Sequence, residues 1–144
     1  MFEMDKRLAA DTVLLGDFAL CRVLLMNDSR YPWLILVPRS PAISEVFELA
    51  EAQQQQLWQE ASAVGRVLKE VFQADKINIA TLGNVVKQLH IHVVARMQTD
   101  EAWPAPVWGQ GCAQPYTAEA IVQLRERLHA ALADKWLSSV EDNV

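Results

Sequence analysis

Gln88-Leu89-His90-Ile91-His92-Val93-Val94-Ala95-Arg96 is the stretch on which the reading of this chain turns. Its polar and apolar residues nearly alternate, and side chains alternate across a β-strand, so Gln88, His90, His92 and Arg96 share one face. Leu89, Ile91, Val93 and Ala95 share the other, which is predicted to be the core side. Along such a row, successive side chains lie about 7 Å apart. Two of the three histidines of the chain fall in this row.

Elements placed outward from this strand suggest a topology. Residues 3–10 can form a short leading helix. Thr12 to Leu15 and Phe18 to Met26 are apolar stretches separated by Gly16-Asp17, which suggests a β-hairpin. Asn27-Asp28-Ser29 is turn chemistry, and residues 33–37 (WLILV) form a buried strand closed by Pro38 and Pro41. Ser44 is a candidate cap, with Ile43 stapled to Phe47, for one long amphipathic helix. Its buried stripe holds Leu57, Ala61, Val64, Leu68, Val71 and Phe72. A strand over residues 77–80 and a turn at Leu82-Gly83-Asn84 precede the histidine strand. Residues 98–116, with Pro104, Pro106, Pro115, Gly109, Gly111, Trp103 and Trp108, read as irregular. Thr117 caps a last helix over residues 117–137, with a stripe of Ile121, Leu124, Leu128, Leu132 and Trp136. The order predicts an α+β fold, an antiparallel sheet with two main helices, as one domain over residues 1–144.

Composition narrows the function. The chain has 144 residues, 51% hydrophobic and 22% charged, and a formal net charge of −5. That balance is globular, and nothing in it suggests the basic face with which proteins grip nucleic acid polymers. No apolar run approaches the roughly 20 residues of a membrane span, and the N-terminus lacks the apolar region of a secretory signal. Cys21 and Cys112 form no CxxC pair, which favours the cytoplasm.

A neutral imidazole is a good nucleophile near pH 7 and can attack phosphorus to give a covalent histidine intermediate. Two histidines at this spacing can also be metal ligands or surface decoration. Zinc needs three or four ligands, and neither cysteine has a neighbour that completes such a set, so no metal and no cofactor are expected. Arg96 and Arg39 could assist an anion or be surface residues. Trp103 and Trp108 could fold over a ligand or a dimer seam, with packing the commoner use. His129 and Tyr116 read as structural.

Residues 88–94 (QLHIHVV) resemble the signature of the histidine triad (HIT) family of nucleotide hydrolases and transferases, His-φ-His-φ-His-φ-φ with φ apolar. The resemblance extends to residues 27–39 and 82–87, and covers roughly residues 12–97. It implies a HIT-like antiparallel sheet of about five strands and two main helices. It implies cleavage at the α-phosphate of a nucleotide conjugate, of the dinucleoside polyphosphate or phosphoramidate type, through a nucleotidyl-histidine; a nucleotide-binding module with little turnover is the alternative. His90 takes the place of the nucleophile and His92 that of the histidine contacting phosphate. Gln88 takes the place of the first histidine, as a residue that can hydrogen-bond but not shuttle a proton. Asn27 or Asp28 would hold the ribose hydroxyls; Asn78, Gly83 and Asn84 would contact the α-phosphate; the base would lie near Leu25 and Ile35. Trp33 stands where the family has a histidine in the earlier strand. The resemblance also implies a homodimer in which the long helix and the neighbouring strand meet their symmetry mates. With Gln88 and Trp33 in these places, slower turnover is expected, or a preference for leaving groups that are already acidic, such as a polyphosphate chain.

Overall fold

The computed structural model describes residues 1–138; the last six residues of the expected domain lie outside the described residues. Helix α1 (Lys6–Asp11) is followed by strands β1 (Thr12–Asp17), β2 (Cys21–Met26) and β3 (Trp33–Pro38). Helix α2 (Glu51–Phe72), strands β4 (Lys76–Ala80) and β5 (Ile91–Arg96), and helix α3 (Ala118–Ala131) complete the order. The strands form one sheet, β1-β2-β3-β5-β4, in which every neighbouring pair is antiparallel. This is the α+β architecture that the hairpin-rich order implies.

Alternation within the strands divides the core into two layers. Val23, Leu25, Leu34, Leu36, Leu89, Ile91, Val93 and Ala95 pack on one face with Leu57, Ala61, Val64 and Leu68 of α2. The stripe of α2 recurs every three or four residues, so its buried side lies flat on the sheet. The other face carries Leu24, Trp33, Ile35, Val37 and Val94, covered by Leu8 and partly by Phe2 and Met4 from the N-terminal side, and by Ala102, Val107 and Trp108 from the irregular segment. Every residue of β5 is therefore buried, His92 and Arg96 included; His90, just before the strand, is buried too, and Gln88 is half-buried.

Several local expectations shift. The first hairpin turns at residues 18–20, not at Gly16-Asp17: β1 continues through Gly16 across a register irregularity. The turn is held by Glu60, a buried α2 carboxylate that accepts hydrogen bonds from the amides of Leu20 and Cys21, both at 2.9 Å. Position 16 has no room for a larger residue: a Cβ there would stand 2.9 Å from Cε3 of Trp136. Ser44 does not cap α2. Its hydroxyl donates to Glu48, whose carboxylate also takes the amides of Ser44 and Glu45 and forms a separate short turn over Val46–Glu48. Phe47, the expected staple, is 78% exposed, while Leu49 is buried. Extended backbone at Leu49 and Ala50 separates this turn from α2. Helix α3 stops at Ala131, and Trp136 folds back from beyond its end, its indole N–H donating to the His129 carbonyl.

Candidate active site

His90, in the extended chain just before β5, and His92 in β5 stand side by side on the sheet face away from α2 and α3, their ring centroids 4.9 Å apart and each residue 6% exposed. What distinguishes the two rings is the partner of each Nδ1. His90 Nδ1 lies 2.7 Å from the backbone carbonyl oxygen of Gln88. A carbonyl can only accept, so the hydrogen bond requires a proton on Nδ1, and in the neutral ring the lone pair is then on Nε2. His92 has the opposite tautomer. The indole N–H of Trp33 donates to His92 Nδ1 at 3.0 Å. An indole N–H can only donate, so Nδ1 is the unprotonated nitrogen, and Nε2 carries the hydrogen. Burial, with His90 nearby as a smaller cause, pushes the His92 pKa down to about 3. The ring is thus neutral at pH 7. The strand presents a bare imidazole nitrogen next to an imidazole N–H donor, the pairing needed for attack on a phosphorus whose nonbridging oxygens gain charge.

Trp33 comes from the register of β3 against β5, where it pairs with Val94 and Ile35 pairs with His92. Trp108 adds a second indole, 5.2 Å from the His92 ring and 6.1 Å from that of Trp33. Trp33 and Trp108 form part of the wall of a cavity of about 460 Å³ that also takes in Met26, Asn27, Asp28 and Gly109. Volumes of roughly 300–1,000 Å³ suit small-molecule ligands. Leu25 and Ile35, the expected base neighbours, do not line it. Leu25 faces α2, Ile35 lies under the opposite cover, and both are fully buried. The cavity is lined instead by Met26, next to Leu25 in the chain, and by Trp33, which shares the face of Ile35 but stands at the start of β3.

The other candidate residues take distinct places. Asp28 is buried, and its carboxylate receives Nε and Nη2 of Arg30 and the amides of Arg30 and Gln114. Burial alone would raise the Asp28 carboxyl, but these donors outweigh it and hold it below the ordinary range. Asp28 therefore spans the turn and the irregular segment; Arg30 also meets Glu101 and the Gln110 carbonyl. Asn27 accepts the amide of Tyr116 at 2.8 Å while lining the cavity. Gly83 has a left-handed φ of 72° in the exposed loop with Asn84.

Gln88 stands apart from the reacting pair. Its side-chain amide donates to the Glu3 carbonyl at 2.7 Å and accepts the Asp5 amide at 2.8 Å, which engages both ends of the group. Asn78 is engaged as well, its Oδ1 accepting Arg96 Nη1 at 2.9 Å. Arg96 is neither an anion ligand nor a surface residue. It is 1% exposed, paired through Nε and Nη2 with Asp100, bonded to the Ala105 carbonyl, and stacked near Trp103 and Tyr31. The sequence pattern did not disclose this, because Asp100 and Ala105 are brought to Arg96 only when the irregular segment folds back. Arg39 bonds the Phe18 and Ala19 carbonyls. His129 holds the Leu15 carbonyl, and Tyr116, its hydroxyl pushed up to about 12 mainly by burial, reaches the Tyr31 carbonyl. Burial, aided by Glu60, drives the Cys21 thiol far upward, so it is unreactive. Among the described residues no group of three His, Cys, Asp or Glu side chains could hold a metal ion, and no helix is long and apolar enough to cross a membrane.

The family model for the HIT domain matches residues 7–99, which contain the sheet and both histidines. The chain belongs to the HIT family. Three solved HIT proteins are similar over nearly their whole lengths. A histidine triad protein from Marinobacter aquaeolei VT8 is 49% identical, with a TM-score of 0.92, covering 94% of this chain and 98% of its own. One from Sinorhizobium meliloti 1021 is 46% identical, with a TM-score of 0.90 and coverage of 92% and 98%. One from Bradyrhizobium japonicum is 45% identical, with a TM-score of 0.88 and coverage of 90% and 97%. No curated protein matches the chain. HIT membership agrees with the α+β sheet and with the resemblance carried by residues 88–94. Against the HIT pattern, the Trp33–His92 hydrogen bond and the turned-away amide of Gln88 are the features to be explained.

Proposed function

We propose that the protein is a nucleotide hydrolase or nucleotidyl transferase that cleaves at the α-phosphate of a nucleotide conjugate through His90. The carrying observation is the opposite tautomers of the two rings, set by the Gln88 carbonyl and the Trp33 indole. In this reading His90 Nε2 attacks the α-phosphorus, the P–Nε2 bond forms and the bond to the leaving group breaks. The ring becomes a cation that keeps its Nδ1–H on the Gln88 carbonyl. His92 Nε2–H donates to a nonbridging oxygen, which gains charge in the transition state. Water then attacks phosphorus, the P–N bond breaks, His90 regains its lone pair and the water's proton passes to solvent; an acceptor hydroxyl in place of water gives transfer.

The nucleoside end would occupy the cavity beside Trp33 and Trp108, with Asn27 toward the ribose. Asp28 supports this wall through Arg30, and Gly83 and Asn84 offer a loop for phosphate. Asn78 would act through Arg96, as a support of the segment that carries Trp108. Gln88 would serve through its backbone carbonyl, since its amide is engaged elsewhere. With no proton donor in the first position, a leaving group that departs as a stable anion is preferred over an amine. The protein is read as a cytoplasmic homodimer joined along the edge strand β4, where Ile79 is 40% and the following Leu82 44% exposed.

The test is acid-labile labelling. Brief incubation with a radiolabelled dinucleoside polyphosphate should place label on His90, stable to base and lost in acid, and His90→Ala should abolish it. Binding without label supports the alternative of a nucleotide-binding module, a reading favoured by the engaged Gln88 amide. Equal rates for phosphoramidates and dinucleoside polyphosphates would count against the leaving-group preference.

A further inference from the structure

Gln88 reaches across 85 and 83 positions of sequence to bond the backbone of Glu3 and Asp5. It is thus a side chain of the histidine row whose hydrogen bonds go to the N-terminal segment. The same segment packs Phe2 and Met4 on the outer-face cluster that holds Trp33, Ile35 and Val37, and Phe2 also lies under the Arg22 guanidinium at 5.5 Å. His90, two residues from Gln88 on the same row, is 6% exposed, although an incoming phosphate must reach its Nε2. The attachment is slight. Phe2 and Met4 are only partly buried, residues 1–5 have no helix or strand of their own, and α1 begins only at Lys6. Short irregular segments held by few contacts open locally at low free energy, far below global unfolding.

We propose that residues 1–5 form a strap beside the histidine row, latched by Gln88, and that release of this latch opens His90 to substrate. The inference rests on the nucleophilic role of His90 only for its purpose; the latch itself is geometric. In this family member the first position of the triad row has been given over from proton handling to control of access. The two side-chain hydrogen bonds are the latch, and the apolar contacts of Phe2 and Met4 are the hinge that keeps the strap near.

Diethyl pyrocarbonate, which modifies an accessible unprotonated imidazole nitrogen, tests this without any nucleotide. The rate at His90 is read by peptide mass spectrometry in the wild type, in Gln88→Ala, and in Phe2→Ala/Met4→Ala. Gln88→Ala retains the backbone carbonyl that holds His90 Nδ1–H. The double variant leaves β5 untouched and carries the test should Gln88→Ala not fold. Both variants should raise the His90 rate roughly five- to thirty-fold, the factor that accompanies a change of one or two kcal/mol in an equilibrium. His129, bonded to the Leu15 carbonyl on the far side of the sheet, should keep its rate. A His90 rate within twofold of wild type in both variants overturns the strap. So does a rise in Gln88→Ala alone, because the effect would then be local to the strand. A rate that responds in both variants while nucleotide labels nothing leaves the strap standing and removes the catalytic reading instead.

Discussion

Protonating His92 should destabilise the protein, and the size of the effect follows from where the ring sits. The residue is 6% exposed, its Nδ1 already accepts from Trp33, and its pKa is pushed down to about 3, chiefly by burial. In the unfolded chain the same imidazole titrates near 6.5. The folded value lies below the unfolded one, so the unfolded state binds more protons between these values and stability falls as pH falls. The contribution is complete above about pH 6.5 and is lost progressively down to about pH 3. Between pH 7 and pH 5 the loss from this one ring is about 2 kcal/mol, from about 1.4 kcal/mol per pH unit below the unfolded pKa. That interval lies above the range in which Asp28 and Asp100, both held below ordinary carboxylate values, begin to protonate. The perturbation is His92→Gln, which keeps an acceptor for the Trp33 indole and cannot take up a proton. Urea unfolding at pH 7, 6 and 5 should show the wild type losing about 2 kcal/mol more than the variant across this range. Parallel pH dependence in the two proteins, or a His92 ring seen by NMR to titrate near pH 6 in the folded state, would refute the argument that burial and Trp33 keep it neutral.

Four further outcomes are expected. Trp33→Phe removes the hydrogen that fixes the His92 tautomer; it should cost about 1–3 kcal/mol of stability, the range for a buried acceptor left without its partner, and lower the rate of His90 labelling while leaving nucleotide affinity less affected, as read by rapid-quench labelling beside equilibrium binding. Arg96→Met strands the buried Asp100 carboxylate and should destabilise by about 3–5 kcal/mol on chemical denaturation, with hydrogen exchange rising across residues 98–116 first. Glu60→Leu leaves the amides of Leu20 and Cys21 without acceptors and should cost about 2–6 kcal/mol at about 1–3 kcal/mol per orphaned group; a change below 1 kcal/mol in urea would show that water replaces the carboxylate. Under the proposed dimer along β4, Ile79→Lys should shift sedimentation from dimer to monomer without loss of the folded far-ultraviolet spectrum; a wild type that sediments as a monomer refutes that assembly.

The sheet and its helices were legible because they depend on local periodicity. Alternation in residues 88–96 and in β3 assigns each side chain to a face whatever the rest of the chain does, and the spacing of Leu57, Ala61, Val64 and Leu68 does the same for α2. Boundaries that depend on a distant partner were not legible. The first hairpin turns at residues 18–20 because Glu60, some forty positions later, supplies its amides with an acceptor. Before α2, Glu48 takes the Ser44 hydroxyl together with the amides of Ser44 and Glu45, which builds a separate short turn in place of the expected cap.

The candidate site divides in the same way. The order of residues alone determined that His90 and His92 stand side by side, because extended backbone with a period of two puts them on one face, and the motif around them placed the chain in its family. Tertiary structure decided what each ring can do. The proton of His90 is positioned by a carbonyl two residues away, but that of His92 depends on an indole from a neighbouring strand. The amide of Gln88 goes to the N-terminal segment, and the guanidinium of Arg96 goes inward to a folded-back segment. Hydrogen bonding and burial are properties of atoms brought together in space, so a sequence can name the groups that will carry a charge or a proton without saying which partner will claim them.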